Sequence, residues 1–533
     1  MLPAGFALGN GGESGRSQPN IVLIMADDLG YSDIGCYGGE IETPHLDGLA
    51  RRGLRFSQFY NCAACVPTRG SMLTGLYPEQ ALNIAHSRTE WDRSSDYRVA
   101  PPLRGDCTTF AEVLKSAGYR TYMSGKWGLG HDLQYGPSAR GFDRYFGLLS
   151  GASNYFEVSA GRAMALDWSP YTEPIGEDFY MTDAFTDYAV DFLGQHAEAE
   201  ESDPFCLYLA YSSPHWPLHA LPADIDKYRG RFMKGWDQLR EERYERMRGM
   251  GLMGDNATLP PRDERALPWG DVFDKEAEDL KMAVYAAQVD RMDQGIGRVL
   301  KKIRDMGEED NTLVLFLSDN GGAASNLYHR VEGAAAAGVP PGPAESFAAY
   351  GLPWGNLSNT PFRVFKTWVH EGGICSPMIA AWPGKIGSPG GITREPGHVM
   401  DVLPSLMEAG GGSYPKENDA GPITPLEGRS LIPTTLGESR QSHEMLAFHH
   451  GGNRALRMGN WKLVARGVRD ITHLHRWQYP AAPHDGRWEL YDLASDRTEM
   501  NDLAAGNPGK VNEMSGRYES WRQRVGVNIN EQS

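Results

Sequence analysis

The chain has 533 residues, with 52 Lys and Arg against 69 Asp and Glu, a formal net charge of −17. Its 41% hydrophobic content excludes global disorder, and no apolar run approaches the roughly 20 residues that a membrane-spanning helix needs. The acidic balance argues against nucleic acid or an anionic membrane as the main partner, since both favour a basic face.

Met1 to Gln18 is Gly-rich and lacks a charged start followed by an apolar stretch. It reads as a linker and not as a signal peptide. Asn20–Ala26 (NIVLIMA) reads as a short, fully buried strand ending at Asp27–Asp28. Thr43–Pro44 predicts a helix start, with Thr as N-cap, running to Gly53. Thr109 and Glu112 predict a capping box for a helix that stops at Gly118. Tyr119–Met123 is strand-like and ends at Gly125–Lys126. Pro204–Tyr211 is an apolar strand ending at Pro214–His215. A long amphipathic helix over Leu280 to Met306 leads into the strand Thr312–Leu317, which ends at Asp319–Asn320. Pro377–Trp382 reads as a further strand and Val399–Ala409 as a helix. After about residue 440 the texture changes to short strands (Ala455–Met458, Trp461–Ala465, Trp488–Asp492) and a last helix ending near Arg524.

Apolar runs alternating with helical periods predict an α/β fold: a large, mostly parallel sheet with helices on both faces, plus a smaller C-terminal α+β subdomain with a short antiparallel sheet. The division expected is a linker over 1–19, a catalytic domain over 20–440 and the subdomain over 441–533. Four strands carry a polar cluster at their C-terminal ends, the edge where open α/β sheets bind ligands. Asp27, Asp28, Lys126, His215, Asp319 and Asn320 are therefore expected to converge on one pocket. Asp27, Asp28, Asp319 and Asn320 offer only oxygen, a donor set that favours Ca²⁺ or Mg²⁺ over zinc. Three carboxylates at one sheet edge repel each other unless a cation sits among them.

The six cysteines, Cys36, Cys62, Cys65, Cys107, Cys206 and Cys375, are too few for a disulfide scaffold. Cys62-Ala-Ala-Cys65 lacks the second pair that a tetrahedral metal site requires. Gly9-Asn10-Gly11 precedes a strand and is no dinucleotide fingerprint. His473, His475 and His484 read as loop surface.

Cys65-Val66-Pro67-Thr68-Arg69, followed by Ser71-Met72-Leu73-Thr74-Gly75, resembles the CxPxR signature of the formylglycine-dependent sulfatases, members of the alkaline-phosphatase-like superfamily. Gly125-Lys126-Trp127, Pro214-His215-Trp216-Pro217, Ser318-Asp319-Asn320-Gly321 and Lys366…Glu371-Gly372-Gly373 resemble further sulfatase blocks in their usual order. Tyr228 to Met253 and Gly452-Asn453-Arg454-Ala455 are similar to the arylsulfatase branch.

The resemblance implies hydrolysis of an aryl or carbohydrate sulfate monoester to alcohol and inorganic sulfate. Cys65 would be converted to formylglycine, whose hydrate is the nucleophile, by a formylglycine-generating enzyme or an anaerobic maturase. One Ca²⁺, in preference to Mg²⁺, would be bound by Asp27, Asp28, Asp319, Asn320 and the modified Cys65. Arg69 would hold the hydrate, Lys126 would add positive charge against the ester oxygens, and His215 with Lys366 would protonate the departing oxygen. Export to the periplasm or the medium is favoured over a cytoplasmic location. The competing readings are a phosphonate or phosphate-diester hydrolase of the same superfamily and a non-catalytic binder of sulfated sugars. The family's Gly-Lys-Trp-His-Leu-Gly reads Gly125-Lys126-Trp127-Gly128-Leu129-Gly130 here, so an active-site histidine is missing from its place. His131, three residues on, is the candidate to replace it. The loops at 83–104, 150–180, 323–360 and 449–487 are expected to select the alcohol.

Overall fold

The computed structural model describes residues 18–84, 100–159, 162–199, 203–254, 257–325, 338–467 and 486–527. Its centre is built from apolar runs too short for helices and too hydrophobic for a surface. β1 (Asn20–Ala26), β2 (Leu54–Tyr60), β3 (Arg120–Gly125), β4 (Arg144–Leu148), β5 (Met164–Leu166), β6 (Ser169–Pro170), β7 (Phe205–Ala210), β8 (Thr312–Ser318), β9 (Cys375–Ala381) and β10 (Ile392–Thr393) form one sheet in the order β10-β2-β9-β8-β1-β7-β3-β4-β5-β6. A further short strand, Gly397–His398, also pairs with β2.

The five central strands β8-β1-β7-β3-β4 are parallel, as the unbroken burial of β1, β7 and β8 requires. Antiparallel pairs lie outside them, β2 with β9 and β9 with β8 on one flank, β4–β5–β6 on the other, so the sheet is mixed. Several expected elements match closely: β1, β7, β8, the C-terminal strands Trp461–Ala465 and Trp488–Asp492, and the Thr109–Glu112 capping box, whose side chain and backbone groups bond reciprocally.

Helix α1 (Pro44–Arg52) departs from expectation at its start. Thr43 holds the N-cap position, yet its hydroxyl accepts from Gly35 N at 2.9 Å and donates to Asp47 at 3.2 Å. The first amides of α1, His45 N and Leu46 N, donate instead to Asp293 at 3.0 and 2.8 Å, from the long helix Lys275–Asp305. A remote carboxylate wins because it meets two free amides and the positive end of the helix dipole together. The predicted helix at 399–409 begins as one 3₁₀ turn, Val399–Asp401, before the α-helix Val402–Gly410.

The C-terminal strands Leu446–His450, Asn453–Met458, Trp461–Ala465 and Trp488–Asp492 make a four-stranded antiparallel sheet, covered by the helix Pro508–Val525. Buried charge joins this sheet to the large one. Lys462 Nζ lies 2.8 Å from Glu371 Oε1 and 2.7 Å from Glu499 Oε1. Glu371 Oε2 receives Tyr60 at 2.9 Å and Arg497 at 3.0 Å, and Glu499 Oε2 receives Glu371 N at 2.8 Å. Burial pushes the Glu371 carboxyl up, but Lys462, Arg497 and Arg457 outweigh it and hold the group at about 2.

Candidate active site

Register brings the predicted residues together. Ala26 pairs with Ser318, so Asp27 and Asp319 leave the sheet side by side. Gly125 pairs with Ala210, which sends Lys126 and the segment toward His215 off the same edge. Asp28 then turns into the left-handed region (φ 68°), a conformation that Asp tolerates better than most residues. Its amide donates to Asp319 Oδ1 at 3.1 Å.

Cys65 is the first residue of α2 (Cys65–Thr74) and is partly exposed, while Arg69 one turn on is fully buried. Cys62 is buried, and burial pushes its thiol well up. None of the six cysteines is in a disulfide. Ligand-capable atoms of Asp27, Cys65 and Asp319 lie within 4.8 Å of one another, as do those of Asp27, Asp28 and His215.

Three side-chain cations face the three carboxylates. Lys126 Nζ contacts Asp27 Oδ2 directly. Arg69 lies 3.4 Å from Asp319 and 3.6 Å from Asp27, and its other nitrogen donates to the Lys126 carbonyl at 2.8 Å and Tyr208 OH at 3.3 Å. Lys366 donates to Asp28 Oδ1 at 2.5 Å, and Asn320 Nδ2 to the same oxygen at 2.7 Å. His215 Nε2 is 3.5 Å from Asp28 Oδ2.

Charge alone therefore does not demand a metal ion, contrary to the simplest reading of three carboxylates. The unpartnered oxygens make the stronger case: Asp27 Oδ1, Asp28 Oδ2 and Asn320 Oδ1 are buried with no hydrogen-bond partner among the described residues. Orphaned buried acceptors of this kind cost roughly 1–3 kcal/mol each, more when charged. Three of them in one cluster are a ready cradle for a hard cation.

The same field sorts the protons. Burial pushes the Asp27 carboxyl up, yet Lys126, His215, Arg69 and Lys366 outweigh it and hold the group far below the carboxylate range. Asp319 is driven well up by burial and by Asp27. Burial lowers the Lys366 ammonium, but Asp28 and its acidic neighbours more than reverse this. Burial also lowers His215 to about 4, with Asp28 opposing. His215 Nδ1 meets the Trp216 carbonyl at 2.6 Å, which fixes the proton there and turns the lone pair of Nε2 toward Asp28.

Gly128 stands at φ 75°, and a Cβ there would come 3.4 Å from Arg69 Cδ and 3.6 Å from Lys126 Cε. A side chain at this position would thus enter the cluster beside Arg69 Nε, itself unpartnered among the described residues. His131 is 40% exposed and its Nε2 faces Asp132 at 3.8 Å; no described contact brings it to Cys65. His473, His475 and His484 lie outside the described residues.

Some supporting residues lie outside the motifs that carry the chemistry. Tyr155 OH donates to the carbonyls of Ser212 and His215, both at 2.8 Å, and so shapes the turn that presents His215. Arg243 reaches Asp33 at 2.7 Å and Glu40 at 2.8 Å, and Tyr285 OH donates to Asp33 at 2.6 Å, bracing the loop beyond Asp28.

An open α/β sheet whose strand ends gather buried carboxylates, fixed cations and a cysteine at a helix start defines a hydrolase for an anionic ester. The Sulfatase family model matches residues 19–412, and the chain belongs to that family. It is 32% identical to an uncharacterised sulfatase of Schizosaccharomyces pombe, over 96% of this chain and 94% of the relative. It is also 32% identical to an arylsulfatase of Klebsiella aerogenes, over 78% of this chain and 92% of that one. The crystal structure of the PsFucS1 sulfatase from Pseudoalteromonas sp. shares the fold, with a TM-score of 0.65 at 19% identity over 96% of this chain and 92% of that one. The protein is a sulfuric ester hydrolase.

Proposed function

We propose that the protein cleaves an aryl or carbohydrate sulfate monoester with a formylglycine made from Cys65 as nucleophile and one Ca²⁺ as cofactor. The observation that carries this is the set of buried, unpartnered oxygens of Asp27, Asp28 and Asn320 beside Cys65. Asp27, Asp28, Asp319 and Asn320 would hold the ion. Several protein oxygens in one cradle suit Ca²⁺ better than Mg²⁺, which keeps more of its water. When bound, the ion supplies Lewis-acid stabilisation of negative charge and a lowered pKa for a coordinated hydroxyl. The formylglycine hydrate supplies a nucleophilic oxygen that an unmodified cysteine lacks.

The chain's own residues set the geometry. Arg69, locked by Asp27, Asp319 and the Lys126 carbonyl, fixes the charge pattern around Cys65 without needing to reorganise. Lys126 holds Asp27 in its ionised form and adds positive charge against the ester oxygens. Lys366 keeps its proton among the acids until the ester bond breaks and then donates it to the departing alkoxide oxygen, with His215 beside it on the Asp28 side. Proton transfer of this kind contributes roughly 10²- to 10⁴-fold.

Peptide mass analysis and paired variants test the assignment. Cys65→Ala is expected to cut turnover by about 10³-fold or more with the fold intact. Cys62→Ala is expected to keep most activity, and loss of the thiol is expected at Cys65 alone. Full activity in Cys65→Ala, or an unmodified Cys65 in fully active enzyme, would refute the formylglycine route.

A further inference from the structure

The hairpin joining Leu446–His450 to Asn453–Met458 turns on Gly451 and Gly452, both left-handed (φ 53° and 88°), as a two-residue hairpin loop requires. His450 and Asn453 are the last cross-strand pair before that turn, and paired residues project to the same face of an antiparallel sheet. Asn453 shows which way that face looks: its Nδ2 donates to the Thr367 carbonyl at 3.0 Å, and its Oδ1 accepts from Gly467 N at 3.0 Å. Thr367 N in turn donates to the Ala63 carbonyl at 2.7 Å, two residues before Cys65. The preceding pair, His449 and Arg454, faces the other way, toward Glu79 and the Trp488 ring. His450 therefore lies near Lys366, whose charge acts on its ring; with Lys366 as the acid for the departing oxygen, this is the side on which the alcohol would leave.

Its surroundings fit a neutral polar contact. Burial lowers the imidazole to about 4, with His449 and Lys366 acting in the same direction. A neutral ring carries one N–H donor and one lone pair, and among the described residues neither meets a hydrogen-bond partner. That pairing of donor and acceptor matches an alcohol hydroxyl, which is also both. An aryl group next to the ester oxygen offers no such partner, and a second sulfate would call for a charged residue.

We propose that His450 contacts a hydroxyl on the alcohol portion of the substrate and biases the enzyme toward sulfated sugars over aryl sulfates. This rests on the sulfate-ester reading above and adds the substrate class to it.

Wild type, His450→Phe and His450→Asn, matched for formylglycine content by peptide mass, would be compared on 4-nitrophenyl sulfate and on a panel of monosulfated hexoses and N-acetylhexosamines. The ratio of kcat/KM on the best sugar sulfate to that on 4-nitrophenyl sulfate is expected to fall about tenfold in His450→Phe, the loss of one hydrogen bond. The ratio is expected to stay near wild type in His450→Asn, which keeps a donor and an acceptor. His450→Ala takes the place of His450→Phe if the larger ring prevents folding. An unchanged ratio with equal losses on both substrates would overturn the proposal, because it would mark His450 as a support for Lys366. A wild type that turns over the aryl ester and no sugar ester would overturn it too. No turnover of either class by matured, Ca²⁺-loaded enzyme would instead overturn the sulfate-ester reading itself.

Discussion

Two clusters of buried charge stand in this molecule, and they are finished differently. In the seam between the sheets, both oxygens of Glu371 and both of Glu499 have a cation or donor within 3.0 Å, Glu499 Oε1 through its ion pair with Lys462 and no hydrogen bond besides. At the strand ends, Asp27, Asp28 and Asn320 each keep one oxygen unpartnered among the described residues, although Arg69, Lys126 and Lys366 lie close by. A closed cluster is a fastening. An open one stores unmet coordination for something that arrives later, and its unpaired oxygens reduce stability for the sake of the site.

The contrast can be broken from the seam. Lys462→Met should leave Glu371 and Glu499 buried without their shared cation, a change that costs about 3–5 kcal/mol. The expected outcome is a clearly lower urea midpoint; an unchanged midpoint would mean that the seam is not a fastening.

At the open cluster the signs should reverse. Asp319→Asn is expected to lower turnover by about 10²-fold. In calcium-free protein it should not lower the melting temperature, because burial and Asp27 already press this carboxyl toward its neutral form. A loss of stability without a loss of rate would exchange the roles assigned to the two clusters.

Calcium sharpens the same point. Ions held by the folded cradle alone stabilise by about 2.7 kcal/mol at a hundredfold excess over Kd. Chelation should therefore lower both activity and melting temperature, and added Ca²⁺ should restore both. Equal melting curves with and without the ion would remove it from Asp27, Asp28 and Asn320.

A smaller effect separates buried groups that titrate from clusters that do not. His219 belongs to neither cluster, although it packs on Tyr155; its Nε2 is 2.7 Å from the Ser346 carbonyl, and burial lowers it to about 4. Unfolded, it titrates near 6.5. The unfolded chain thus binds more protons between these values, and stability falls as pH drops through that window. Between pH 7 and 5 this amounts to about 2 kcal/mol. His219→Gln should flatten that part of the stability curve, and an unaltered slope would show that His219 is not its source.

What the sequence revealed follows the same division. β1, β7 and β8 were readable because each is an apolar run ending in polar residues, β3 because Tyr119–Met123 is strand-like before Gly125–Lys126, and parallel register then forces Asp27, Lys126, His215 and Asp319 to one edge. Cys65 and Arg69 were readable from the resemblance of Cys65-Val66-Pro67-Thr68-Arg69 to the sulfatase signature. β2 was not, since LRFSQFY mixes polar and apolar residues along a strand covered unevenly. Nor was the Asp293 cap of α1, whose partners stand 247 and 248 residues away. Tyr155 and Arg243 fall in stretches that the sequence marked only as a loop at 150–180 and a block from Tyr228 to Met253, since no local pattern records which distant loops their side chains touch.

The strand at the centre of the sheet is also the first one made. β1 has β8 on one side and β7 on the other, so its first partner begins at Phe205 and its second at Thr312. During synthesis at about 5–20 residues per second, NIVLIMA would wait on the order of 10–40 s for one edge to be covered and longer for the other. Throughout that interval it is an apolar strand with two open edges, the kind of segment that pairs with a neighbouring nascent chain. The N-terminal half of the protein is thus committed to its partners long before they exist, and its yield in a cell should depend on what shields that strand in the meantime.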